Sequence, residues 1–469
     1  MSLLPVGLLS LVEDSLAWDG LTVQVRSEPR LRRTVHRLVE VSALEKGERA
    51  AWARFLVRGA AQSLGIFPAS IEALYRARAR GEVLATWTAP AFNLRVLPFE
   101  GARAVFRAAR RLDAGMFIFE IARVELDWTG QSLAEYATAV LAAAIAEGYR
   151  GAVFLQGDHF QASANRPRWK EKTTLEALIR EAVLAGFFNM DLDASTLVDL
   201  RHPQVQDQQF DNAVLTASLV AFARSLQPEG VSFSLGGEIG EVGGHVTTEE
   251  ELHAFMHLFR RALHALSGDA AGLSKVSIHT GSAHGGIVLA DGSFAPVNID
   301  FEAIQRLGQV ARQVYGMGGV VQHGASTLPL DLFPAFVRYG TLEVHLATAF
   351  MNTFFEHLPE DHLRAVQAWL DARYRNERRA DQSDAQFYAA VRMHALAPFK
   401  ETFLRLPEEI HEAVMQDWEE QFVVLMERLG CAGTRSLVSQ WVDPRAVPFY
   451  LEDYWMQSTP SEDMSDLAG

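Results

Sequence analysis

The chain has 469 residues, 49% of them hydrophobic, with 43 Lys and Arg against 58 Asp and Glu and a formal charge of −15. That length and apolar share bury one large core and leave material for appended segments, while the acidic balance excludes nucleic-acid backbones and acidic membrane surfaces as partners. A single cysteine, Cys431, excludes an internal disulfide framework and any thiolate-rich metal site, so a metal here must draw on His, Asp or Glu, and the usage suits a reducing cytoplasm.

At the start, Leu3, Leu4, Leu8, Leu9 and Leu11 have the hydropathy of a secretory leader. No basic stretch precedes them and Glu13 and Asp14 follow at once, so they read as an amphipathic helix. Residues 1–69 read as a mainly helical extension, with the helical pattern over 31–44 and 46–64. From residue 70 to 357 short β-rich apolar runs alternate with longer helical patterns, the signature of βα units on a parallel sheet. The runs are 89–94, 116–121, 151–157, 187–192, 231–238, 275–281, 319–323 and 342–347, with helical patterns such as 98–112, 133–147, 175–185, 249–266 and 301–315 between them. Eight parallel strands with helical returns close into a (β/α)8 TIM barrel. Residues 358–457 read as a second helical extension, over 361–375, 384–395 and 408–429 with a last apolar stretch at 447–455, and 458–469 as a disordered polar tail. The extensions are expected to pack on the barrel. The uncharged stretch 136–146 is far shorter than the roughly 20 residues a membrane span requires.

In such a barrel the active site lies at the carboxyl ends of the strands, so polar residues there carry the chemistry. The third run ends in Gly157-Asp158-His159, the fifth in Gly237-Glu238 within a glycine-rich turn to Gly244, the sixth leads to Ser282-Ala283-His284-Gly285, and the seventh to His323-Gly324-Ala325-Ser326-Thr327. Each motif alone reads as ordinary loop, and His279, inside the sixth run, reads as a packing residue. The recurrence of His at three strand ends changes the balance, because His159, His284 and His323 can converge above the barrel as three nitrogen ligands with an open position, the arrangement of a catalytic zinc. The glycines beside His284 and His323 leave backbone N–H groups free to form a nest for an oxyanion, and Ser326 and Thr327 add hydroxyls.

These residues carry a family resemblance. The stretch Leu-Tyr-Arg-Ala-Arg-Ala-Arg-Gly-Glu-Val-Leu-Ala-Thr-Trp-Thr-Ala-Pro-Ala-Phe-Asn at 74–93, followed in order by Asp158-His159, the Glu238 turn, the His284 turn and the His323 turn, resembles the class II, zinc-dependent fructose- and tagatose-bisphosphate aldolases over about residues 70–357. The resemblance implies a lyase of carbohydrate metabolism that cleaves a phosphorylated ketose. His159, His284 and His323 would bind one Zn2+ per chain, with room for a monovalent cation. Asp158 would be the acid/base, and Glu238 a glutamate that can contact the metal. Gly285, Gly324, Ala325 and Ser326, with Thr348 nearby, would take the phosphate. It implies a cytoplasmic homo-oligomer whose partner is a small phosphorylated sugar.

Several positions depart from the family pattern. Phe160 follows the Asp-His pair where glycine is usual, the last glycine-rich turn reads Gly324-Ala325-Ser326-Thr327, and the eighth-strand motif, usually Asn-x-Asp-Thr-Asp, reads His345-Leu346-Ala347-Thr348-Ala349. Gly157-Asp158-His159 with Asp193-Ala194-Ser195 is also similar to the non-catalytic accessory subunit of tagatose-bisphosphate aldolase, which supplies the alternative of a binding or accessory protein on the same barrel. A Schiff-base mechanism would need a strand lysine, and Lys275, at the wrong end of the sixth run, is the one candidate.

Overall fold

The computed structural model describes residues 5, 7–240, 245–281, 289–290, 295 and 298–455. Eight strands, Ala89–Asn93, Ile118–Ala122, Gly151–Gln161, Asn189–Asp193, Ser234–Glu238, Lys275–Ser277, Val320–Gln322 and Glu343–Leu346, each pair in parallel with both neighbours. The eighth returns to the first, Glu343 beside Ala89 and His345 beside Ala91, so the sheet is closed. This is a (β/α)8 barrel with helical extensions, as the alternation of periods implies.

The helices that cross back start and stop where local chemistry dictates. Pro98, at the first helical position, opens Pro98–Leu112. Ser132 accepts from Glu135 N to open Leu133–Glu147, and Gly148 ends that helix in the left-handed conformation, φ 69°. Thr248 and Glu251 form a reciprocal capping box at the start of Glu249–Ser267.

Two features of the N-terminal extension differ from the helical expectation. Leu16–Trp18 and Val23–Val25 form an antiparallel ribbon, turned by Asp19, whose Oδ1 accepts from Leu21 N and Thr22 N. Ile66–Ala69 pairs in parallel with residues 151–154, at the amino end of the third strand. The side chain of Asn189 seals this junction, donating to Ala69 O and Leu155 O and accepting from Ile71 N. Three- and four-residue strands are too short to show a period of two.

Both extensions complete the barrel's outer layer. Gly47–Ser63 lies on Leu133–Glu147, and Glu408–Arg428 lies on Pro98–Leu112. The ring of Phe422 packs 4.7 Å from Phe92 and 4.8 Å from Phe350, and Trp418 Nε1 donates to Phe350 O. Phe422→Ala should therefore cost about 3–5 kcal/mol of unfolding free energy, read as a lowered denaturant midpoint. An unchanged midpoint would mean that the C-terminal helices do not share the barrel's core. None of the described helices is long and apolar enough to cross a membrane.

The barrel interior is unusual in carrying charge where branched apolar side chains are the rule. Lys275 is fully buried, its Nζ donating to Glu343 Oε1 at 2.6 Å, to Gln156 Oε1 at 2.7 Å and pairing with Asp191 Oδ1 at 2.9 Å. Gly236 makes room for this pair, since a Cβ there would lie 2.1 Å from Asp191 Oδ1. Tyr75, from the helix before the first strand, donates to the other oxygen of Glu343 at 2.8 Å.

Candidate active site

The third strand runs past its expected end, to Gln161, so Asp158 and His159 lie within it. Its register to the fourth strand slips between Gly157 and Phe160, a β-bulge, and His159 sits in left-handed backbone at φ 39°. Such a conformation costs a non-glycine residue about 1–3 kcal/mol. In return, two consecutive side chains face the same site, which regular alternation forbids. Phe160 packs its ring over Gly157, where a Cβ would meet the ring at 2.3 Å.

His159 is fixed by two acids. Its Nδ1 lies 3.1 Å from Asp193 Oδ2 and 3.2 Å from Glu238 Oε2, and Asp193 is itself held by Gln161 Nε2 and Ser195 N. The His323 ring stacks against it, centroids 4.2 Å apart. His159, Glu238 and His323 thus bring one ligand atom each within 4.8 Å of one another. Glu238 follows its strand into Gly240, and residues 241–244 lie outside the described residues, as do Ser282, Ala283, the expected ligand His284 and the expected phosphate residue Gly285.

A second layer lies beneath. His345 Nδ1 approaches Asp158 Oδ1 at 3.2 Å and Glu120 Oε2 at 3.0 Å, and its ring meets His323 edge-on, 4.2 Å between centroids. Asp158, Asp191, His323 and His345 form another group with ligand atoms within 4.8 Å, all buried. Glu120, Asp191 and Glu343 were not singled out by sequence, and His345 only as a departure from the family's eighth-strand motif. Charged residues at alternate strand positions read as a solvent face, and only closure of the sheet turns them inward.

The charges follow from this packing. Burial opposes ionisation of Asp158, but His159 and His345 beside it hold its carboxyl well below the usual range. Burial likewise opposes charge on His159 and His345. It is outweighed by Asp158 and Glu238 at the first and by Glu120 and Asp158 at the second, so both imidazoles are raised well above the ordinary value. Burial, then the charges of those two rings, push His323 well below it. Burial, with Asp193 beside Glu238 and Asp158 beside Glu120, raises both glutamates to about 7. Lys275 is raised despite burial, by Asp191 and Glu343, and stays an ammonium.

Of the expected phosphate residues, Gly324, Ala325, Ser326 and Thr348 are described, and they follow the seventh and eighth strands. Gly324, at φ 71°, turns the chain after the seventh strand. Ala325 is buried, and Ser326 Oγ accepts from Thr348 N at 3.1 Å. That bond ties this turn to the N-terminus of the helix Thr348–His357, whose backbone amides favour an anion.

Comparison with known proteins follows the same lines. The profile described as fructose-bisphosphate aldolase class-II matches residues 83–434, across the barrel and into the C-terminal helices. No curated protein matches the chain. Among solved structures, the YdjI aldolase from Escherichia coli K12 is similar at 15% identity and TM-score 0.48, over 78% of this chain and 99% of that one. Fructose-bisphosphate aldolase from Campylobacter jejuni is similar at 16% identity and TM-score 0.47, over 79% and 96%.

Proposed function

The chain belongs to the class II fructose-bisphosphate aldolase family, and from that premise we propose that it reversibly cleaves a phosphorylated ketose, with Asp158 as acid/base and a divalent metal at His159, His284 and His323. The observation that carries this reading is the meeting of His159, His323 and Glu238 beside the charged carboxylate of Asp158. Two imidazoles and a carboxylate, without thiolate, suit zinc among the common divalent ions. Asp193 adds the acid that commonly orients a ligand imidazole from behind.

When bound, the metal supplies Lewis-acid polarisation of the ketone. The remaining work falls to the chain. Asp158 takes the proton from the hydroxyl on the carbon that leaves as aldehyde, and returns it in the condensation direction. The backbone amides of Gly324, Ala325 and Ser326, with those of Gly285 and the helix end at Thr348, hold the phosphate and so fix the reacting carbons against Asp158. Glu238 stands close enough to His159 to serve as a further metal contact. We assign the protein to the cytoplasm as a homo-oligomer that meets a small phosphorylated sugar.

A Schiff-base route is disfavoured, because Lys275 is locked as an ammonium between Glu343 and Asp191 and a nucleophilic amine must be free of its proton. A panel of ketose mono- and bisphosphates tests the reading. At least one should be cleaved to an aldehyde and a ketone, and borohydride added during turnover should attach no substrate to Lys275. The altered eighth-strand motif, with Ala347 and Ala349 where carboxylates are usual, favours the accessory alternative. That alternative prevails when the whole panel is untouched and the protein instead raises the activity of a separate aldolase.

A further inference from the structure

We infer that His345 is a positioning residue, which holds the Asp158 carboxylate in its working orientation and is itself anchored by Glu120; this rests on the aldolase reading above and adds a member to that site. His345 comes from the eighth strand, Asp158 from the third and Glu120 from the second, so closure of the barrel is what assembles the three. All three are buried. The Nδ1 of His345 sits between Glu120 Oε2 at 3.0 Å and Asp158 Oδ1 at 3.2 Å. Glu120 Oε2 also accepts from Gln156 Nε2 at 3.2 Å, and Gln156 in turn accepts from Lys275. The anchor is therefore part of a fixed lattice reaching across the barrel floor.

The position matters because of how Asp158 is held. Among the described residues, His345, His323 and His159 approach it at 3.2, 3.5 and 3.9 Å, all through Oδ1. Oδ2, the oxygen farther from these rings, would be the one that works on a substrate hydroxyl. Two of the three rings are the proposed metal ligands, and an imidazole nitrogen committed to a metal has no proton to give. His345 is the ring that remains a donor to Asp158 in the loaded enzyme. Its geometry is also the shortest of the three. A carboxylate freed from this contact turns about its Cβ–Cγ bond, and an acid/base displaced by about 1 Å loses on the order of 10²-fold in rate.

An asparagine side chain can also donate a hydrogen bond, and that supplies the conservative variant. In the zinc-loaded full chain with fructose 1,6-bisphosphate, His345→Ala should lower kcat on the order of 10²-fold, with KM and zinc content nearly unchanged. His345→Asn should recover at least about tenfold of that loss. A crystal structure of His345→Ala should show the Asp158 carboxylate turned from its wild-type direction. Should His345→Ala fail to fold, His345→Phe, which keeps a ring and lacks the donor, replaces it in both measurements. The inference is overturned if kcat is unaffected, if the Asn and Ala variants lose equally, or if the Asp158 carboxylate has not moved. If the wild type cleaves no ketose phosphate at all, the aldolase reading falls, and the orientation of Asp158 in the crystals still decides the role of His345.

Discussion

Stripping the divalent metal with a chelator should abolish ketose-phosphate cleavage while leaving the fold intact, and added zinc should restore it. Lewis-acid polarisation of the carbonyl supplies several kcal/mol, and at about 1.4 kcal/mol per tenfold its loss removes roughly three orders of magnitude or more of rate. The donors survive the treatment in place. His159 is held by Asp193 and Glu238, and His323 by its ring contacts with His159 and, edge-on, with His345. The eight strands are joined to one another around the whole circle by backbone hydrogen bonds. Circular dichroism should thus be unchanged as activity vanishes. His159→Ala and His323→Ala should fail to respond to zinc, which separates loss of a ligand from loss of the metal. Full turnover in protein whose metal content has fallen to background would end the metal-dependent reading.

Asp158→Asn should lower kcat by about 10²-fold or more, the usual scale for a lost general acid/base, with metal content retained. The exchange keeps the shape of the side chain and an oxygen to face His345. What it removes is basicity. The Asp158 carboxyl lies well below its ordinary range because His159 and His345 stabilise its charge against burial, so across neutral pH it is the proton-accepting form that waits for substrate. Amide oxygen cannot take that proton. The measurement is kcat and KM side by side with zinc content and melting temperature. A kcat within about threefold of wild type, in a folded and zinc-loaded variant, would remove Asp158 from the mechanism.

Much of this architecture is legible in the chain because its local signals agree with one another. The pattern over 98–112 coincides with the helix Pro98–Leu112, since Pro at the start and a left-handed Asp113 at the end mark both limits. The third strand was read four residues short because Asp158 and His159 look like the polar exit of a strand, whereas they form a bulge inside one. His159 and His323 were found through their recurrence at strand ends. His345 was noticed only as a departure, because one imidazole on a strand says nothing until the strand opposite presents Asp158. Lys275 reads as a strand-start lysine from sequence, and its meaning depends on Asp191 and Glu343, which arrive from the fourth and eighth strands. Contacts of that range have no local signature.

The belt of C-terminal helices also bears on how the protein is made. Cys431 Sγ donates to Thr88 O across 343 residues of sequence, Thr88 N donates to Leu429 O, and Phe422 covers Phe92 on the first barrel strand. A nascent chain that has emerged through its eighth strand can close the circle of hydrogen bonds, yet it still presents Phe92 and Phe350 to water. Such a species carries the sticky surface that draws chaperones and promotes aggregation. Ribosomal synthesis therefore leaves Phe92, on the first barrel strand, bare until the helix at Glu408–Arg428 is delivered, and a stalled or truncated product ending near residue 357 should be a client for quality control rather than a small working enzyme.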